Sequence, residues 1–367
     1  MKLTKPWRRE RGFSLIELMV GLTLGLFVLA AITAQYIGSK QTYRAGDALS
    51  RVQESARVAV ENISRDLRMA GAYGCGAANL YSDRAYTCSS TYNRGGLKNL
   101  IVNGTTTYAY NFARHVQGFE TAVGGSTWSP VLDASISAMS PGPSTGSDVL
   151  TVRGPETLGV TVTDQLTPSN YGSANLKART TTDLAVGDVL VATDCEDAAV
   201  FQLTGVTPSP DATNTERTFA HLTTGATPGN QCLELGKEYK NGLLMRVFTR
   251  TYYIAPGASG RPSLYRIEGP AATPVELVEG VENLQVQYGL DSDSDGIADS
   301  YTKADSIATA DWAKVVSVRV DMVVASVDDN VTTKPQTYAF DGASITSADR
   351  RLRQVASVTV GLRNRLH

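Results

Sequence analysis

Residues 13–34 form an unbroken apolar run in which Glu17 is the only ionisable side chain. At about 1.5 Å per residue a helix over this run is about 33 Å long, enough to cross a hydrocarbon core of about 30 Å. Lipid offers no partners for backbone polar groups, so such a segment is restricted to a helix. Before it stand Lys2, Lys5, Arg8, Arg9 and Arg11 against the single acid Glu10. This basic excess keeps the leading end cytoplasmic and sends the rest of the chain across the membrane. A secretory signal would end its shorter apolar stretch at a small-residue cleavage site on the far side. Here the chain continues as Thr33-Ala34-Gln35-Tyr36-Ile37 and keeps helical character. A carboxylate inside an apolar helix costs on the order of 3 kcal/mol, so Glu17 calls for a partner. Gly21 and Gly25 add a GxxxG spacing that permits close helix contact.

The helical pattern outlasts the apolar run. Leu49, Val52, Ala56, Ala59, Ile63, Leu67 and Ala70 recur at three- and four-residue intervals, and charged residues such as Arg51, Glu54, Glu61 and Arg65 fill the remainder. No proline occurs between Pro6 and Pro130. The spacing therefore predicts one helix of roughly 87 Å ending near Gly71, its second half amphipathic and in need of a partner surface. That surface is expected to be β-sheet. Alternating apolar and polar residues at 284–290, 316–324 and 356–362 predict strands with one covered face, and further strands are expected at 148–153, 187–193, 200–206 and 243–254.

Composition narrows the function. Lys and Arg number 34 against 36 Asp and Glu, so the basic excess that phosphate-backbone binding requires is missing and nucleic acid is not an expected partner. Three histidines, none near another His or Cys, offer no zinc site, and no GxSxG, HExxH or phosphate loop is present. No enzyme activity is expected.

The string Arg11-Gly12-Phe13-Ser14-Leu15-Ile16-Glu17-Leu18 resembles the type III signal of type IV pilins and type II secretion pseudopilins. The resemblance implies that prepilin peptidase cuts after Gly12, that Phe13 becomes the N-methylated first residue, and that Glu17 pairs with a neighbouring subunit's Phe13 amine during assembly. Later stretches resemble the PilW family of large minor pilins: Arg65-Asp66-Leu67-Arg68-Met69-Ala70-Gly71-Ala72-Tyr73-Gly74-Cys75, Leu264-Tyr265-Arg266, Val281-Glu282-Asn283-Leu284-Gln285-Val286-Gln287-Tyr288-Gly289, and Arg363-Asn364-Arg365. The implied fold is α+β and pilin-like, a long N-terminal helix packed on a largely antiparallel β-sheet head. The implied organisation is a cleaved leader at 1–12, a transmembrane helix at 13–37, its amphipathic continuation at 38–72, a variable β-rich region at 73–240 and a C-terminal sheet region with an acidic loop at 241–367.

Cys75, Cys88, Cys195 and Cys232 all follow the membrane segment, where an oxidising periplasm favours disulfides over a metal cluster. Four cysteines allow three pairings. The shortest loops pair Cys75 with Cys88 and Cys195 with Cys232. The run Asp291-Ser292-Asp293-Ser294-Asp295-Gly296-Ile297-Ala298-Asp299 has the spacing of an EF-hand-type calcium loop. Asp291, Asp293, Asp295, the Ile297 carbonyl and Asp299 are its candidate ligands. Thr302 replaces the bidentate Glu, with Asp305 as a possible substitute, and a solvated Asp/Gly hairpin is the competing reading.

By resemblance the chain is expected to help initiate pilus assembly at the inner membrane, with its head in the periplasm, and to enter the fimbrium at its tip, supporting twitching motility and adhesion. The implied partners are other minor pilins, the major pilin, a PilY-class tip adhesin, prepilin peptidase, the inner-membrane assembly platform and membrane lipid. Calcium is the one cofactor the sequence suggests. A J-type pseudopilin of type II secretion and a surface-binding module at a filament tip are the alternative expectations.

Overall fold

The structure is a computed structural model that describes residues 12, 14–73, 88, 96–104, 106–156, 160–165, 175–179, 184–194, 196–208, 215–269 and 272–362. Phe13, Cys75 and Cys195 lie outside the described residues.

One helix, α1 (Leu15–Met69), carries the first part of the chain. Its leading part has a mean hydropathy of 2.4 over an 18-residue window, and among the described residues none of that window is buried. From Ala48 onward the character changes. Ala48, Val52, Ala56, Ala59, Ile63 and Leu67 turn one stripe onto the head. The stripe is rich in alanine, which lets the helix axis approach the sheet closely while the larger Val52, Ile63 and Leu67 fill the gaps. Each large apolar side chain buried this way stabilises by roughly 1.5–3 kcal/mol.

Their partner is a four-stranded antiparallel sheet. Val281–Leu290 pairs with Ser300–Thr302 on one side and Val315–Ala325 on the other, and Arg353–Gly361 is the outer strand beyond it. Alternation puts Leu284, Val286, Tyr288, Val318, Val320, Met322, Val360 and Leu362 in the core shared with α1. Trp312 closes that core edge-on to Tyr288, ring centres 4.9 Å apart.

A twelve-stranded sheet around the long strand Leu243–Pro256 forms most of the rest of the head, and Thr337–Phe340 pairs with Ala343–Thr346 in a separate two-stranded sheet. That strand's first residues pair with Val189–Thr193, and its later ones with Val149–Pro155 and Pro262–Glu268. Gly96–Asn99 beside Asp197–Gln202 is the one parallel pair among the described residues. A separate core containing Leu190, Phe201, Phe219 and Tyr239 lies under this region.

α1 ends against the strand Val149–Pro155. Gly71 takes a positive φ of 67° and donates its N–H to the Arg153 carbonyl at 3.0 Å. At Gly154 any Cβ would stand 2.3 Å from the Met69 carbonyl oxygen, so glycine is required for the helix end to reach the strand.

Cys88 is bonded to Cys232, their Cα atoms 5.8 Å apart across a sequence separation of 144. Each sulfur forms one disulfide, so both shortest-loop pairs, Cys75–Cys88 and Cys195–Cys232, are corrected. Loop-closure entropy grows only logarithmically with length and is a weak guide beside the fold. The fold brings the segment preceding Cys232 onto the start of the sheet: Asn230 bridges to Ile101, and the Gln231 N–H reaches the Leu100 carbonyl at 2.7 Å.

Candidate functional site

The start of α1 is a capping box. The Ser14 hydroxyl accepts the Glu17 N–H at 3.2 Å, and Glu17 Oε2 accepts the Ser14 N–H at 3.0 Å and its hydroxyl at 3.1 Å. Within the single chain the first turn thus satisfies the Glu17 carboxylate, a role for Ser14 that a serine three residues before a glutamate at the start of an apolar run could have signalled. Gly12 is exposed two residues before this cap. A Cβ at Gly21 or Gly25 would meet nothing within 4 Å, so both present open helix surface.

The other end of the buried stripe holds a polar clamp that the sequence reading missed. Asp66 is 1% exposed. Its Oδ1 receives Arg250 Nη1 at 2.9 Å and its Oδ2 receives the Tyr252 hydroxyl at 2.5 Å. Arg250 also donates to Glu156 at 2.7 Å and Glu268 at 2.8 Å, and its guanidinium lies 4.2 Å from the centre of the Phe248 ring. Burial and the neighbouring Asp66 charge push the Tyr252 phenol well above its ordinary range. The available signal was Asp66 itself, an acid on the face defined by Ile63, Leu67 and Ala70.

A second polar group joins the two sheets. Asp148, 2% exposed, accepts the Thr121 N–H at 2.9 Å and the Val286 N–H at 2.8 Å, while its own N–H bonds the Leu284 carbonyl at 2.8 Å. Glu120 lies beside it and receives Lys303 Nζ at 2.9 Å; the same amine reaches Asp341 at 2.8 Å. Burial, reinforced by the Glu120 charge, pushes the Asp148 carboxyl well above the carboxylate range.

The acidic loop connects Val281–Leu290 to Ser300–Thr302. Asp291, Asp293 and Asp299 each bring one carboxylate oxygen within 4.8 Å of the others. Asp295 stands apart from that trio, because its Oδ1 accepts the Ile297 N–H at 2.7 Å in a local turn. Asp291 accepts the N–H groups of Ser294 at 2.6 Å and Gly296 at 2.9 Å. Burial raises its carboxyl, but these amides outweigh it and hold the group below its usual value. Asp293 is raised: the Asp295 N–H works in the opposite direction, and the charges of Asp295, Asp299 and Asp291 prevail. Asp305 is not part of the trio; it accepts the Ser306 hydroxyl at 3.0 Å.

Comparison with known proteins adds two matches at opposite ends of the chain. Residues 251–364 match the family described as Type IV Pilus-assembly protein W, and residues 7–33 match the prokaryotic N-terminal methylation motif. No curated protein matches the chain. Among solved structures, a type IV-like pilin from Thermus thermophilus aligns at 13% identity over 50% of this chain and 86% of its own, with a TM-score of 0.23.

Proposed function

We propose that this chain, a type IV pilus minor pilin of the PilW family, acts without catalysis to initiate pilus assembly at the inner membrane and then occupies the tip of the filament. The observation that carries this reading is the division of α1. The leading half offers apolar surface that no described residue covers, whereas the trailing half is fixed to the head by its stripe and the Asp66 clamp. A subunit built this way is held in lipid as a monomer and in a bundle of like helices after assembly. Prepilin peptidase would remove residues 1–12 and leave Phe13 for methylation. Glu17 would then exchange its Ser14 contacts for the Phe13 amine of an adjoining subunit, setting register. Other minor pilins, the major pilin, the assembly platform and a PilY-class adhesin are the partners of this role, with twitching motility and adhesion as its outcomes.

Glu17→Val tests it. Membrane insertion and leader removal should persist while surface piliation falls, counted by electron microscopy in a strain lacking the native chain. Normal piliation in that strain would remove the electrostatic role.

A second reading concerns calcium, supported by the convergence of Asp291, Asp293 and Asp299. An all-oxygen set suits a hard cation. With Asp295 turned to Ile297 and Thr302 in the strand, the ligand set favours the weak end of the calcium range, about 10⁻⁴–10⁻³ M.

A further inference from the structure

Lys98 sits on the short strand Gly96–Asn99, which among the described residues joins the twelve-stranded sheet through its parallel neighbour Asp197–Gln202 alone. The lysine is 3% exposed, and Asp197, the first residue of the neighbouring strand, is 1% exposed. Lys98 Nζ stands 3.4 Å from Asp197 Oδ1. A well-formed charge-assisted bond is shorter, about 2.7–2.9 Å. Two ions buried at the longer distance recover little of the several kcal/mol that each loses on leaving water. The second carboxylate oxygen, Oδ2, faces Lys237 Nζ at 3.3 Å, and Lys237 also pairs with Asp194.

Both groups are held in place. The Asp197 N–H donates to Asp194 Oδ1 at 3.1 Å, and its carbonyl accepts the Thr193 hydroxyl at 2.9 Å. The Lys98 stem lies along Gly236, where a Cβ would stand 2.8 Å from its Cδ and Cε and 3.0 Å from Nζ, so the missing side chain is what lets the amine lie against the carboxylate. The environments of the two lysines separate their roles. Burial lowers the Lys98 amine below its ordinary value and the Asp197 charge offsets only part of that, which favours the uncharged, nucleophilic form. Burial acts on Lys237 too, but its bonds to Asp194 and Asp197 prevail and raise it, so it stays an ammonium.

We propose that the folded chain joins Lys98 to Asp197 through an intramolecular amide. Lys98 Nζ forms a bond to Asp197 Cγ, and the Cγ–Oδ1 bond breaks. Of the three protons on the starting ammonium, one remains on the amide nitrogen and two leave with Oδ1 as water. Oδ2 becomes the amide oxygen, and the Lys237 ammonium stabilises the negative charge that this oxygen carries in the tetrahedral intermediate. No atom changes oxidation state and no co-reactant enters. Holding amine and carboxyl in contact replaces an encounter in solution by a step within one molecule. The product exchanges two buried charges for one neutral amide, which removes the desolvation cost of the ion pair. It also fastens to the sheet an outer strand whose own ladder is only four residues long.

Intact-mass spectrometry of the full-length chain, purified in detergent and reduced, tests it. The chain should weigh one water less than its sequence requires after any leader removal is counted. A tryptic digest should yield a branched peptide that contains both Lys98 and Asp197, uncut after Lys98. Lys98→Arg should carry the full mass of its sequence. Lys237→Met, in a chain that still melts cooperatively, should form the bond about a hundredfold more slowly, an effect that a purely structural ion pair would not produce. A wild-type chain at its full mass, a water loss that persists in Lys98→Arg, or a loss mapped to other residues would each overturn the bond. Linkage at the wild-type rate in folded Lys237→Met would overturn the part given to Lys237. Should the variants not fold, the wild-type mass and the branched peptide decide alone.

Discussion

Asp66 accepts the hydroxyl of Tyr252 at 2.5 Å, a bond between residues 186 apart in sequence that ties the last turns of α1 to the central strand of the head. The same carboxylate pairs with Arg250 at 2.9 Å, so one buried acid satisfies a phenol and a guanidinium together. Removing one partner of such a group leaves the others desolvated and uncompensated.

Asp66→Ala should therefore destabilise the protein by about 3 kcal/mol, the lower end of the range for breaking a buried pair, because Arg250 keeps Glu156 and Glu268. Asp66→Asn, which keeps an acceptor for Tyr252, should cost less. Denaturant unfolding of the two variants against wild type measures the difference, and equal stability of all three would refute the clamp.

Gly12→Val should block leader removal, since the residue before Phe13 lies at the proposed scissile bond. Intact mass reads the result directly. A variant that still loses residues 1–12 would refute the cleavage assignment.

The joint between the sheets has a defined pH response. An unfolded aspartate ionises near about 3.9. Asp148 in the folded protein is raised by burial and by Glu120, so it holds its proton to higher pH. Its contribution is fully present below the unfolded value and is lost as pH rises through the folded one. Glu120→Gln removes the neighbouring charge while retaining an acceptor for Lys303. This variant should show a shallower decline in stability from acidic to mildly alkaline pH. Thermal melts across that interval would expose an unchanged slope, the outcome that counts against the pair.

Calcium should raise the melting temperature more than magnesium does. At about ten times its dissociation constant the ion should add about 1.4 kcal/mol. Asp291→Asn with Asp293→Asn should eliminate that increment, and titration calorimetry that finds no heat at millimolar calcium would leave the solvated hairpin in its place.

Local periodicity made α1 and the C-terminal strands legible. The three-and-four spacing of Val52, Ala56, Ala59 and Ile63 has one geometric solution; the alternation at 284–290 and 316–324 falls within Val281–Leu290 and Val315–Ala325, and that at 356–362 runs one residue past the end of Arg353–Gly361. What escaped depended on which distant segments meet. Asp66 is an anomaly on an apolar face until Arg250 and Tyr252 arrive from the central strand. The Cys88–Cys232 bond joins segments that only the sheet brings together. In the acidic loop the spacing of four aspartates was readable, but the turn that sends Asp295 to the Ile297 amide depends on backbone conformation, which spacing does not specify.

The apolar stripe of α1 has a mechanical consequence. From Ala48 to Leu67 it runs roughly 30 Å along the helix axis, and the Asp66 clamp lies near its far end. A pull on the membrane end of the helix, with the head held, acts in line with the stripe. The seam is loaded in shear, so its contacts must slip together, whereas a sideways force would peel them one turn at a time. Tension along the helix axis is the direction in which this joint is strongest.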